Sequence, residues 1–257
     1  MAEHLTKPWP LPRWIAHRGA GKLAPENTLA AFRVGAAHGY RAFECDVKLS
    51  ADGVPFLLHD ATLERTTPER GTAGDRPWAE LSRIDAGGWH SRAYAGEPLP
   101  SLATIAAYVQ RNAYALNIEI KPTPGQAHET GRTVGTWCAE HGWPGASPLL
   151  FSSFEPEALE GALEAAPAVP RALLLDRLWD GWEAVARRLH VVAVVTNHHV
   201  MDAALKQTLD GLGLRSLCYT VNDPAGARRL VALGVHGIIT DAVDRFSPAA
   251  GGEFVLD

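Results

Sequence analysis

Eight short apolar runs, separated by amphipathic stretches, recur along the chain, and this alternation constrains the fold more than any other feature. The runs that read as strands are 13–17, 42–46, 115–121, 149–154, 171–176, 191–196, 217–221 and 237–241. Helical patterns occupy 27–38, 101–112, 126–141, 155–166, 182–190, 201–212 and 224–233. Asn27 and Ser101 read as N-caps, Pro224 as a first-turn residue, and Gly39 and Gly234 as residues just past helix ends. Strands that alternate with helices build a parallel sheet, because a parallel connection must cross over the sheet. Eight strands, each but one followed by a helix, is the count of a (β/α)8 TIM barrel, and 257 residues suits one. A doubly wound open sheet is the alternative, weakened because no GxGxxG or Walker loop follows any strand.

One segment interrupts the alternation. After the second run the chain reads VKLSADGVPFLLHD, with Asp52-Gly53 as a tight-turn signal between two apolar stretches. That predicts a hairpin. A turn centred on Asp52-Gly53 pairs position 46 with 59, and one centred a residue earlier pairs 44 with 59. Either register returns His59 beside the acidic end of the second strand. The loop-rich stretch that follows cannot form one helix, so 47–100 is expected to be a small insertion at the barrel rim, with 1–257 a single catalytic domain.

Composition narrows the partners. The chain is 46% hydrophobic with a net charge of −5, enough to bury a full core and too acidic for broad binding to nucleic acid or anionic lipid. Cys45, Cys138 and Cys218 form no CxxC, which argues against a disulfide framework or a zinc site and for a reducing cytoplasm. The first residues lack the apolar stretch of a signal peptide, and no apolar run is long enough to span a membrane. Neither nucleic acid nor a membrane span is therefore expected, and the oligomeric state is left open; a small-molecule partner is what the resemblance described below implies.

The strand ends carry the chemistry. Active sites of barrels lie where strands end and loops begin, which places His17 and Arg18 in a reactive position. Alternation puts Glu44 and Asp46 on one face of the second strand, with Phe43, Cys45 and Val47 on the other. The apolar face suits packing against helices, so both carboxylates turn toward the barrel axis. Asn117, Glu119 and Lys121 share a face in the same way. Three converging carboxylates need positive charge, and one hard divalent cation, Mg2+ or Ca2+, is an economical source. Buried Glu119–Lys121 or Glu44–Arg18 ion pairs are the structural alternative. With His17 and His59 as proton carriers and Arg18 and Lys121 beside a phosphate, the set suits phosphodiester cleavage better than acyl transfer.

These residues resemble a known family. HRG (17–19), PENT (25–28), ECD (44–46), LLHD (57–60) and IEIK (118–121) are similar to the motifs of the glycerophosphodiester phosphodiesterases. So are the stretch 85–102, FSSF (151–154), YTVND (219–223) and GVHGIITD (234–241). The likeness runs in order along nearly the whole chain and is greatest to the cytoplasmic bacterial enzymes. It implies a TIM barrel that hydrolyses glycerophosphodiesters to sn-glycerol 3-phosphate and an alcohol. It further implies His17 and His59 as the acid/base pair, Glu44, Asp46 and Glu119 as ligands of Mg2+ or Ca2+, and Arg18 and Lys121 on the phosphate. Tyr219 stands where the family often has Trp and offers the glycerol an aromatic face.

Other residues are weighed more lightly. His198 and His199 read as loop histidines, Trp179 and Trp182 as rim or core packing, and Asp241 as a residue that steadies the rim. Two other functions remain in view. A phospholipase D-like enzyme for lysolipids would need an apolar rim, which 61–100 does not offer. A non-catalytic barrel that binds a phosphorylated ligand would be expected to lack a histidine or an acid.

Overall fold

The computed structural model describes residues 11–143, 147–246 and 248. The N-terminal stretch read above as no signal peptide falls mostly outside them. Eight parallel strands close into a barrel: β1 (Trp14–Ala16), β2 (Ala42–Leu49), β4 (Ala115–Ile120), β5 (Leu149–Ser153), β6 (Arg171–Leu175), β7 (Ala193–Asn197), β8 (Arg215–Tyr219) and β9 (Gly237–Thr240). Closure comes from β1, which pairs with β9 through Trp14–Ile238 to Ala16–Thr240 and with β2 through Ala16–Phe43. Between the strands lie α1 (Leu29–Ala37), α3 (Leu102–Arg111), α4 (Ala127–Glu140), α5 (Pro156–Ala165), α6 (Trp182–Arg188), α7 (Ala203–Gly211) and α8 (Pro224–Ala232). The (β/α)8 TIM barrel expected from the alternation is the observed fold.

Side-chain parity explains the layers. Positions of one parity, such as Phe43, Cys45, Val47, Leu116, Ile118 and Phe151, join Phe32, Ile105, Val134 and Leu159 in the core between sheet and helices. Each fully buried side chain of this size contributes about 1.5–3 kcal/mol. Positions of the other parity fill the barrel: Ile15, Ala42, Ala115, Leu150, Ala172, Leu174, Ala193, Val195, Leu217 and Ile239. Continued two residues at a time toward the strand ends, these inward rows become His17, Glu44, Asp46, Asn117, Glu119, Ser152, Asp176, Asn197, Tyr219 and Asp241. Apolar residues plug one end of the barrel, and polar residues crowd the other.

The insertion begins as the predicted hairpin. β2 runs on to Leu49, past the expected end, because β3 (Pro55–Leu57) pairs with it antiparallel. The register corrects both proposed turn centres. Val47 lies opposite Leu57 and Leu49 opposite Pro55, so the turn is Ala51-Asp52-Gly53, with Gly53 at φ 78° and Ser50 N donating to Val54 O. A three-residue loop with a left-handed glycine adds one residue to the two-residue turn. Beyond it, α2 (Trp78–Leu81) and irregular loops enclose a separate apolar cluster of Phe56, Leu58, Leu63, Ala73, Leu81, Ile84, Ala86 and Leu99.

Helix boundaries hold with one correction. Ser101 caps α3 by accepting from Thr104 N, and Pro224 opens α8 behind the cap Asp223. Asn27 does not cap α1. Thr28 does, accepting from Ala31 N at 3.2 Å, because the Asn27 side chain is committed elsewhere. The seventh predicted strand segment also moves: the ladder takes Arg215–Tyr219 rather than 217–221, and Val221 N bonds Ile239 O beyond it.

Candidate active site

The polar ends of the strands line one pocket of about 290 Å³, bounded by His17, Arg18, Glu44, His59, Asn117, Glu119, Lys121, Tyr219 and others. Every residue singled out from the sequence as catalytic, metal-binding or substrate-binding lies on this pocket or directly beneath it. The first loop is shaped by HRG. Arg18 takes φ 51° and Gly19 φ 96°, and a Cβ on Gly19 would come within 2.8 Å of Ala31 Cβ. That bend lets the Arg18 backbone N–H donate to Glu44 Oε2 at 3.1 Å.

The three carboxylates converge as parity requires. Asp46 lies opposite Glu119 in the β2–β4 ladder, and one oxygen from each of Glu44, Asp46 and Glu119 falls within 4.8 Å of the others. All three side chains are buried. Asn27, at φ 59°, explains why it abandons the helix cap: Nδ2 donates to Asp46 Oδ2 at 2.8 Å, and Oδ1 accepts from Asp46 N at 3.1 Å. Glu44 Oε1 and Asp46 Oδ1 are buried with no hydrogen-bond partner, as is Asn117 Oδ1 on the neighbouring strand. Partnerless anionic oxygens at this depth are costly unless a cation meets them. An all-oxygen donor set of this kind suits a hard divalent ion.

Electrostatics separate the acids. Burial first, and then the charge of Asp46, pushes the Glu44 carboxyl up to about 8. Burial and Asp46 likewise raise Glu119. Burial opposes the charge of Asp46 as well, but Arg18, Lys121 and His59 outweigh it and hold that group well below the usual carboxylate range. The expected Glu119–Lys121 contact exists at 3.0 Å, with Lys121 Nζ also 3.7 Å from Asp46. A Glu44–Arg18 side-chain pair does not form. The guanidinium of Arg18 instead meets Asp46 at 3.4 Å and Glu26 at 2.9 Å.

Each histidine is held by a carboxylate. His17 Nδ1 donates to Asp241 Oδ1 at 2.6 Å, which leaves Nε2 facing Glu44 at 3.7 Å. Asp241 is itself fixed by Asn222, whose Nδ2 donates to Oδ2 at 3.0 Å. His59 Nδ1 donates to Asp60 Oδ1 at 2.7 Å, while Nε2 accepts from Lys121 Nζ at 2.8 Å. This pairing specifies the tautomer with the proton on Nδ1. Burial lowers His17, yet its bond to Asp241 and the charge of Glu44 raise it overall; for His59, burial and nearby cations prevail and lower it. Lys48, on the same inward row as Glu44 and Asp46, is wholly buried and donates to His59 O and Lys121 O.

The remaining expectations divide. Tyr219 lines the pocket, stands edge-on to Phe154 at 5.7 Å, and reaches Asp176 Oδ1 with its hydroxyl at 3.4 Å. Asp241 does more than steady a rim, since it orients His17. Sequence reading gives Asp60, Asn27 and Asn222 no role in the site, although the LLHD, PENT and YTVND motifs contain them. His198 and His199 sit in the turn after β7 with their rings 3.9 Å apart. Trp182 is buried and Trp179 exposed, and both border a separate hollow with Leu178 and Asp180. Among the described residues, no helix is long and apolar enough to cross a membrane.

Known proteins resemble this chain over most of its length. Residues 17–245 match the model of the glycerophosphoryl diester phosphodiesterase family. A glycerophosphodiester phosphodiesterase of Caldanaerobacter subterraneus is 30% identical over 232 residues, 88% of this chain and 93% of that protein. Among solved structures, an Oleispira antarctica phosphodiesterase in complex with the product sn-glycerol-3-phosphate superimposes with a TM-score of 0.86 at 33% identity, covering 90% of this chain and 94% of that one. The glycerophosphodiester phosphodiesterase of Agrobacterium tumefaciens gives 0.77 at 26% identity over 91% of this chain and 98% of that one.

Proposed function

The chain belongs to the glycerophosphoryl diester phosphodiesterase family, and from that membership we propose a metal-dependent hydrolysis of glycerophosphodiesters to sn-glycerol 3-phosphate and an alcohol. The observation that carries the metal is that Glu44 Oε1 and Asp46 Oδ1 are buried without a hydrogen-bond partner and lie within reach of Glu119. Glu44, Asp46 and Glu119 are the ligands of one divalent cation, Mg2+ or Ca2+. Bound there, the cation supplies Lewis-acid neutralisation of the phosphate oxygens.

This chain's own groups supply the rest. The Arg18 guanidinium and the Lys121 ammonium face the phosphate, the fork gripping two oxygens and the ammonium acting as a point charge. Tyr219, with Phe154 beside it, packs against the glycerol. His17 and His59 carry protons: one imidazole removes a proton from the attacking hydroxyl, and the other delivers one to the leaving alcoholate as its P–O bond breaks. Asp241 and Asp60 keep each ring turned so that Nε2 faces the pocket. Water consumed and alcohol released balance in the same way whether water attacks directly or opens a cyclic phosphate formed by the glycerol 2-hydroxyl.

The whole chain, 1–257, is read as one catalytic barrel with the rim insertion as part of it, acting in the cytoplasm. The three buried free thiols, Cys45, Cys138 and Cys218, support a reducing location. The test is release of glycerol 3-phosphate from a panel of glycerophosphodiesters, before and after exhaustive chelation. Activity lost with EDTA and restored by Mg2+ or Ca2+ is the expected result. Full turnover in chelated enzyme would remove the metal from the mechanism.

A further inference from the structure

Arg65 lies in the insertion, outside the barrel, with its side chain 44% exposed, and its guanidinium holds two carboxylates at once. Nη1 and Nη2 donate to the two oxygens of Glu26 at 2.8 and 2.7 Å, fork against fork. Nε donates to Asp60 Oδ2 at 2.6 Å, and Nη2 also reaches Asp60 Oδ1 at 3.2 Å. Each carboxylate then holds a group of the pocket. Asp60 accepts from His59 Nδ1 at 2.7 Å, and Glu26 accepts from Arg18 Nη1 at 2.9 Å. Arg18 continues to Asp46 at 3.4 Å. One exposed guanidinium thus connects a proton-carrying histidine on one side with a phosphate-facing arginine on the other.

We propose that Arg65 is a positioning residue for the hydrolysis, orienting His59 through Asp60 and Arg18 through Glu26. The inference rests on the function proposed above and adds to it a residue that touches neither substrate nor metal. Both carboxylates reach on to groups of the pocket, which a rim ion pair serving stability alone does not require. Orientation does. The Asp60 side chain is 29% exposed, and without Arg65 it is free to turn into water and release His59 Nδ1. The ring would then lose the contact that keeps its Nε2 toward the pocket. Glu26 would keep Arg18 by a single bond, and the guanidinium fork would lose its fixed plane. Lysine cannot substitute, since a single ammonium cannot span two carboxylates with four directed bonds.

The experiment is steady-state kinetics on the full chain with the glycerophosphodiester that the wild type hydrolyses fastest. Arg65→Ala should lower kcat/KM by about 10–100-fold, the range typical when a partner that orients a functional group is removed. The loss should divide: Asp60→Asn reproduces mainly the fall in kcat, and Glu26→Gln mainly the rise in KM. Adding Asp60→Asn to Arg65→Ala should lower kcat little further, because both break the same connection. The exposed gap left in Arg65→Ala should admit free guanidinium, which restores turnover where sodium chloride of equal ionic strength does not; Arg65→Lys should remain impaired. The melting temperature should stay near that of the wild type. Should Arg65→Ala fail to fold, Arg65→Gln carries the same comparisons. Arg65→Ala within twofold of wild type, full rescue by Arg65→Lys, or additive losses with Asp60→Asn would overturn the assignment. A wild type inactive on every glycerophosphodiester would overturn the proposed function and this inference together, whereas an active wild type with an indifferent Arg65 would overturn the inference alone.

Discussion

Chelation should turn the stability of this enzyme into a steep function of pH, and Glu44→Gln should remove most of the slope. In the metal-free fold, burial beside Asp46 raises the Glu44 carboxyl from 4.5 to about 8. Between those values the folded state keeps a proton that the unfolded chain releases, so the Glu44 contribution to stability is full below pH 4.5 and is lost as pH rises through 8. At about 1.4 kcal/mol per pH unit, the cost is on the order of 3 kcal/mol at pH 7 and about 5 kcal/mol above pH 8. For a chain of this size 1 kcal/mol moves the melting temperature by about 2–4 °C, so the pH 7 cost corresponds to about 6–12 °C. Glu119, raised by the same surroundings, adds slope of the same sign; Asp46, held ionised, does not. The assay is thermal unfolding followed by circular dichroism from pH 5 to 8.5 in EDTA, for wild type and Glu44→Gln, repeated with excess Mg2+ or Ca2+. The amide keeps the shape of the acid and has no proton to lose, so the variant should melt higher than wild type at pH 8 in EDTA while lacking activity. Cation should rescue the wild type by mass action and do less for the variant. Parallel melting curves for the two proteins across this range in EDTA would refute the reasoning.

Two further outcomes follow from the geometry. His17→Ala and His59→Ala should each lower turnover by about 10²–10⁴, measured as glycerol 3-phosphate release, with little change in melting temperature because both rings stand at strand ends. Arg18→Lys should weaken substrate binding and slow the reaction together, since an ammonium cannot meet Glu26, Asp46 and two phosphate oxygens in one plane; an unchanged kcat/KM would make Arg18 a structural residue.

Much of this was legible in the chain because parity is a local property. Phe43, Cys45 and Val47 declared the outward face of β2, and that alone turned Glu44 and Asp46 inward to where the structure has them. The Asp52-Gly53 signal returned His59 to the site even though the register fell between the two expected, because a glycine in a left-handed turn serves loops of more than one length. Relations between distant residues were hidden. His17 and Asp241 are separated by 224 positions, and only closure of β1 on β9 brings them to 2.6 Å. Asn27 misled for the opposite reason. Its type and place are those of a helix cap, but two bonds to Asp46 outrank the cap and pass it to Thr28.

The apolar cluster beneath the insertion, formed by Phe56, Leu63, Leu81, Ile84 and their neighbours, is distinct from the clusters inside and around the barrel. Such separate clusters favour two cooperative units, the smaller of which would carry Asp60, Arg65 and the Asp60 contact of His59. Inactivation and melting are then separate events. If the smaller unit opens first on warming, activity should be lost below the circular-dichroism transition and should return on cooling. On that reading the working temperature would be set by the eight apolar side chains of the rim cluster, and the melting temperature by the many more around and inside the barrel.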